Sequence, residues 1–173
     1  PLGQATHIEK YGTVICAGGG VGIATMLPVI EAMKKAGNKV ISVLAARTKD
    51  LVVLEEQVAE YSDEVIVMTD DGSYGYKGLI TNGIEMVIER EKVDLCVTIV
   101  PAIIMKFVSL LTQKHYIPTI ESLNTIMVVD TGLSGACRVP VVGQPKLVCV
   151  YGSDYSAHQV DFGELFMRLG AYN

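Results

Sequence analysis

Cys137 and Cys149 stand in the stretch "DTGLSGACRV…KLVCVYG" together with Asp130 and Ser134. Two thiols, a carboxylate and a hydroxyl around a glycine-rich loop read as ligands gathered for a soft metal, since thiolates bind zinc and iron–sulfur iron strongly. Ser134 puts an alcohol where a further thiol is expected. A zinc-stabilised loop is the weaker reading, because structural zinc wants four nitrogen or sulfur donors and only Cys137, Cys149 and His158 are on offer.

A second chemistry is written into "TVICAGGGVGIATMLP", residues 13–28. An apolar strand runs into glycines and then into a helix, which leaves unpaired backbone N–H groups and the positive end of the helix dipole facing one spot. That spot receives a pyrophosphate. Gly18, Gly19, Gly20 and Gly22 permit positive φ and a close ligand approach, although Ile23 departs from the usual G-x-G-x-x-G spacing. The plainer alternative is a tight turn of an α/β protein. Arg47, at the tip of the second strand in "VLAARTKD", suits a 2′-phosphate or an adenine face; its bland role is a solvated cation. Asp71 and Gly72, in "TDDGSYGYKG", read as a turn lining the cleft at the carboxyl edge of the sheet rather than as catalysts.

Other candidates are structural. Cys16 and Cys96 lie inside apolar strands and read as buried small hydrophobes. His7 and His115 lack partners at ligand spacing, and His158 reads as a hydrogen-bonding turn residue. No Ser/His/Asp set, H-E-x-x-H or P-loop lysine is present.

The elements that must position these residues alternate. Apolar runs at 13–17, 40–46, 64–69, 94–100 and 119–123 are separated by helical patterns at about 23–36, 50–61, 79–91 and 102–114. This is the βαβ signature of a doubly wound α/β fold. The expectation is a five-stranded parallel sheet in the order 3-2-1-4-5. After residue 124 the chain turns rich in Gly, Pro and Val and loses its helical period. "VVGQPKLV" predicts a hairpin turning at Gly143 and Gln144, and "VDFGELFMRLG" a closing helix capped by Asp161. The boundaries read as 1–11 a linker remnant, 12–123 a nucleotide-binding domain, and 124–173 an appendage with a C-terminal helix.

Composition narrows the class. Half of the 173 residues are hydrophobic, 19% are charged, and the net charge is -5. That is ample for a core and argues against a nucleic-acid surface. No apolar run reaches the length of a spanning helix, and "PLGQATHIEKYG" has no signal-peptide layout. Four cysteines give no disulfide scaffold, so a cytoplasmic setting is expected. The "PLGQ" start reads as the tail of a preceding segment.

"GGGVGIA…LPVIEAMKKAGNKVISVLAARTKDLVVLEE…TDDGSYGYKG" followed by "SLNTIMVVDTGLSGACRV…KLVCVYG…HQVDF" resembles one family from end to end. It is similar to ferredoxin–NADP reductase-like electron-transfer subunits. The branch is that of NADH-dependent ferredoxin:NADP oxidoreductase, sulfide dehydrogenase and dihydroorotate dehydrogenase B. The resemblance implies an FAD-binding β-barrel preceding this region, hydride delivery from NAD or NADP to the flavin, and electrons crossing a [2Fe–2S] cluster to a larger partner subunit. It places Gly19, Gly20, Val21 and Gly22 on the phosphate loop, and Arg47 and Thr48 on the adenosine-ribose side. Asp71 and Gly72 fall on the third-strand loop, Pro101 on a Gly-Pro motif by the nicotinamide, and Cys137 and Cys149 on cluster thiolates. In this branch Arg47 accompanies either nucleotide.

The chain departs from that pattern at chosen places. Thr25 replaces a Pro, Val100 the glycine before Pro101, Val129 the ligand Asp, Ser134 the first cluster Cys, and Tyr151 a further Asp. Asp130 stands one residue late, which in an extended segment turns its side chain to the other face. A stable [2Fe–2S] cluster is therefore not expected on Cys137, Cys149, Asp130 and Ser134. Two readings follow: a nucleotide-binding part of an electron-transfer subunit, inactive by itself, or a redox-inactive nucleotide-binding or docking module.

Overall fold

The computed structural model describes residues 3–170, so Pro1 and Leu2 of the linker reading lie outside the described residues. Its main sheet is built from β1 (Thr13–Gly19), β2 (Lys39–Ala46), β3 (Glu64–Thr69), β4 (Tyr76–Lys77), β5 (Leu95–Ile99) and β6 (Thr119–Ser122), joined late in the chain by β9 (Asp154–Ser156). The order is β4-β3-β2-β1-β5-β6-β9. The five parallel strands at its centre follow the expected doubly wound order, and two short strands extend its edges. β4 adds parallel to β3 and β9 antiparallel to β6. Neither has a sequence signal: β4 is two exposed residues inside a glycine-rich loop, and β9 is three residues long.

Helices cover both faces. α1 (Gly22–Lys35) buries Ile23, Met26, Ile30 and Met33, a 3-4-3 spacing that forms one stripe. It packs with Val14, Cys16, Val40, Leu44 and Val97 from the strands, and Val58 of α2 (Glu55–Glu60) closes the same layer. On the opposite face α3 (Ile80–Ile88) and α4 (Ala102–Lys114) pack with Ile15, Ala17, Ile41, Val43 and Cys96. The alternation Val14/Cys16 to one side and Ile15/Ala17 to the other is the period of two along a strand buried on both faces.

The expected helix over 50–61 is broken. A 3₁₀ turn spans Lys49–Leu51, Leu54 takes φ 57°, and α2 keeps only Glu55–Glu60. The intervening Val52 and Val53 are β-branched, which weakens helix propagation.

After β6 the chain runs through an irregular segment into a second sheet, β7 (Arg138–Val141) and β8 (Gln144–Leu147), then α5 (Val148–Tyr151) and α6 (Phe162–Gly170). The hairpin turns at Val142 and Gly143, not at Gly143 and Gln144. Gln144 already pairs with Val141, and the two turn residues have φ 52° and 70°. Two positive φ values match the twist that a two-residue hairpin requires. Asp161 caps α6 as expected, its Oδ1 accepting the Glu164 amide at 3.1 Å. At the other end of the chain, Thr6 Oγ1 donates to Asp154 Oδ2 at 2.6 Å, and the Tyr11 and Gly12 amides donate to Asn38 Oδ1. These bonds tie residues 6–12 to the main sheet and to β9.

Candidate functional site

The neighbours of β1 are β2 and β5, whose connections leave in opposite directions, so the carboxyl ends of β1 and β5 flank the crevice where open α/β sheets receive ligands. The glycines there divide by role. A β-carbon at Gly22 would stand 2.0 Å from the Ile99 carbonyl oxygen, and one at Gly18 would stand 2.9 Å from Ile23 Cα. Both are needed for α1 to pack against β1 and β5. At Gly20 a β-carbon would meet nothing within 4 Å, and φ is 57°. Gly20 is thus the glycine that faces open space.

The amides divide too. Gly20 N–H donates to the Ala45 carbonyl at 2.9 Å, so it serves the sheet. Of the loop amides, those of Val21 and Gly22 are the ones that the first turn of α1 cannot satisfy. No side chain caps α1 and no acid stands in its first turn, so the positive end of its dipole has no side-chain partner. Val21 itself is highly exposed, and its side chain makes no claim on the site.

Around this centre Arg47 is exposed just past the end of β2, and Thr48 is half-buried. The Arg47 carbonyl accepts the Asp71 amide at 3.3 Å, and Ser73 Oγ accepts the Lys49 amide at 2.9 Å. The second- and third-strand loops are thereby joined, with Lys49 Nζ 5.3 Å from the Tyr74 ring centre. The Asp71 carboxylate accepts the Ser73 amide at 2.9 Å. Hydrogen bonds from the Ser73 hydroxyl and amide hold its carboxyl below the usual range. It shapes its own turn, and Gly72, with φ 78°, lets that turn lie on the Lys77 side chain. Pro101 caps α4, and beside it the buried Val100 reaches the Gly19 backbone.

Cys137 and Cys149 are brought together: their sulfurs are 3.2 Å apart and both side chains are buried. Burial opposes ionisation of Cys137, but the backbone amides of Cys149 and Val148 and the Cys149 thiol bring its pKa down on balance. The partner sulfur, then burial, pushes Cys149 up. Asp130 and Ser134 are exposed, and Ser134 Oγ accepts the Ala136 amide at 3.3 Å. Among the described residues no three His, Cys, Asp or Glu side chains assemble as metal ligands would. This donor set does not fit an iron–sulfur cluster, which takes four protein ligands, chiefly thiolates.

Sequence reasoning missed Glu121. It is fully buried on β6, in register between Thr98 of β5 and Tyr155 of β9. Its oxygens, Thr98 Oγ1 and the Tyr155 hydroxyl all lack hydrogen-bond partners. Burial pushes Glu121 up to about 8, offset in part by the nearby Thr98 hydroxyl. Burial, then the sulfurs of Cys137 and Cys149, pushes Tyr155 up to about 12. Period two places Glu121 on the face opposite Ile120, but a lone Glu in a short strand carries no mark that distinguishes burial from exposure. His158 Nε2 lies 3.0 Å from Thr112 Oγ1, which ties the 3₁₀ turn after β9 to α4. Cys16 and Cys96 are fully buried in the sheet. No helix among the described residues is long and apolar enough to cross a membrane.

No protein-family model matches the chain. A dihydroorotate dehydrogenase B (NAD(+)) electron transfer subunit homolog of Thermotoga maritima is 46% identical over 172 residues, 99% of this chain and 61% of that protein. A probable dihydroorotate dehydrogenase B (NAD(+)) electron transfer subunit of Methanocaldococcus jannaschii is 33% identical, over 91% of this chain and 60% of its own length. Among solved structures, a chain of NADH-dependent reduced ferredoxin-NADP oxidoreductase, studied for flavin-based electron bifurcation, superposes with a TM-score of 0.94 at 44% identity. It covers 100% of this chain, which in turn covers 62% of it. The C-terminal domain of a Pyrococcus furiosus hydrogenase shares the fold at a TM-score of 0.60 and 20% identity, over 70% of this chain. The chain is therefore a homologue of the dihydroorotate dehydrogenase B and NADH-dependent ferredoxin-NADP oxidoreductase electron-transfer subunits, and it spans about three fifths of the length of these relatives.

Proposed function

We propose that this chain is the nucleotide-binding part of an electron-transfer subunit, taking NAD(H) or NADP(H) at the carboxyl edge of β1 and β5. The observation that carries this is the uncapped start of α1 beside Gly20, the glycine with open space over it. Val21 and Gly22 amides hold the pyrophosphate, and Arg47 with Thr48 lies on the adenosine side. Pro101, at the start of α4, borders the nicotinamide end, while Asp71 and Gly72 keep the third-strand loop in shape. A bound nicotinamide nucleotide supplies two electrons as hydride. By analogy with the relatives, the acceptor is FAD on a separate domain, and a larger partner subunit lies beyond it. No step is assigned to an iron–sulfur cluster, because the donors present do not fit one. This chain's own residues bind and orient the nucleotide.

The test is calorimetric titration of NADH, NADPH and ADP-ribose into the chain and into Gly20→Asp, whose carboxylate enters the open space and repels phosphate. Loss of binding in the folded variant is expected. Equal affinity of both proteins would overturn the placement.

The alternative, a redox-inactive nucleotide-binding or docking module, is favoured by one observation: Val100 lies over Gly19 and narrows the crevice. Normal nucleotide binding without reduction of a supplied flavoprotein partner would support it.

A further inference from the structure

The β7–β8 ladder pairs Arg138 with Leu147, and one step beyond that pair the Val148 amide donates to the Cys137 carbonyl at 3.2 Å. Cys137 and Cys149 therefore stand at the two feet of one hairpin. Their sulfurs are 3.2 Å apart with the side chains 1% and 6% exposed. A bond between them needs about 1 Å of further approach, given an S–S length near ~2.05 Å. The other two cysteines are a contrast. Cys16 pairs with Val97 and Cys96 with Ile15, so they are one step out of register and point to opposite faces of the sheet. They cannot bridge.

The segment over the thiols is lightly held. Residues 123–137 belong to no helix or strand, and the backbone bonds between 132 and 138 are two turn contacts of 3.3 Å, Gly135 to Gly132 and Arg138 to Gly135. Leu133 is 87% exposed. Local opening of such a turn exposes what it covers at little cost.

We propose that Cys137 and Cys149 form a reversible thiol–disulfide site, a two-electron centre that exchanges with low-molecular-weight disulfides. One thiol of the pair attacks one sulfur of the external disulfide as thiolate and releases one small thiolate. The other then attacks the sulfur of that mixed disulfide on its neighbour, forming the internal bond and releasing the second. The two protons lost from the cysteines end on the two small thiols, and the pair is oxidised by the two electrons that reduce the external disulfide. This inference does not depend on nucleotide binding.

The probe is glutathione. The full chain is equilibrated anaerobically in buffers from fully reduced to fully oxidised glutathione, unfolded in an alkylating agent, and mapped by mass spectrometry. Two of the four thiols should disappear together, reversibly, into a 137–149 link, while Cys16 and Cys96 stay free. In Cys137→Ser the second thiol is gone, so one glutathione should remain attached at Cys149. Four free thiols in fully oxidised glutathione, or a link at any other pair, would overturn the proposal. So would about two irons bound per chain after anaerobic reconstitution, since both sulfurs would then be metal ligands.

Discussion

The Val100 side chain lies on Gly19: a β-carbon added to Gly19 would stand 3.2 Å from Val100 Cγ1. The contact joins the ends of β1 and β5 and fills part of the space between them. A ligand lying flat against β5 at this point must displace a buried isopropyl group. On the binding mode proposed above, in which only the nicotinamide half reaches this place, Val100→Gly should raise affinity for NADH several-fold while leaving that for ADP-ribose unchanged. Equal gains for both ligands would show that Val100 acts on the phosphate loop instead. The variant should also lose about 2–4 kcal/mol of stability from the buried side chain and the added backbone freedom.

The glycines of the loop separate folding from binding. Gly22→Ala sets a methyl 2.0 Å from the Ile99 carbonyl oxygen, and neither a strand nor a helix can yield that far. We expect at least ~3 kcal/mol of destabilisation in denaturant unfolding. In Gly20→Asp the added β-carbon meets no atom within 4 Å, and Asp is among the residues that enter the left-handed region at modest cost. The variant should unfold within about 1 kcal/mol of the parent and lose nucleotide affinity. A Gly20→Asp protein that fails to fold would contradict this division.

Glu121 makes stability depend on pH. Its carboxyl, near 4.5 when unfolded, is pushed up to about 8 by burial in the folded chain. Between those values the folded state holds a proton that the unfolded state has released. Stability is complete below about 4.5 and is lost as pH rises toward about 8, by an amount on the order of a few kcal/mol. Glu121→Gln, neutral at every pH, should flatten the decline and be the more stable protein at pH 8. Parallel pH profiles for the two proteins in urea unfolding would remove Glu121 as the cause.

Val142 carries strain at a turn. It is β-branched with φ 52°, next to Gly143 at φ 70°, where Asn-Gly is the favoured pair. Its side chain is largely exposed and its amide donates to the Gln159 carbonyl at 2.9 Å. Asn can keep that bond. Val142→Asn should raise unfolding stability by about 1 kcal/mol, with the hairpin retained. A loss of stability would mean that the Val142 side chain packs in a way its exposure does not suggest.

Much of this protein was decided by local sequence. Apolar runs of strand length, separated by helical stripes such as Ile23, Met26, Ile30 and Met33, specify buried strands and covering helices. Right-handed crossovers then leave one common sheet order. "AGGGVG" between a strand and a helix marks the turn, and Asp161 marks the start of α6, because caps and glycine turns act over a few residues. Other features depended on packing between distant segments. Which glycine faces open space follows from Ile99 pressing on Gly22 and Ile23 on Gly18, while nothing stands over Gly20. That the Gly20 amide bonds the Ala45 carbonyl of the neighbouring strand is likewise a matter of packing. β4 and β9 were invisible because strands of two and three residues have no periodicity and exist only through their partners. The hairpin turn moved by one residue because register is set by the ladder as a whole, here Val141 against Gln144. The thiol pair is the mixed case. Sequence named Cys137 and Cys149, but only the folded hairpin sets their sulfurs side by side and leaves Asp130 and Ser134 exposed. Types and periods along a chain determine elements, whereas distances between side chains exist only after those elements have closed on one another.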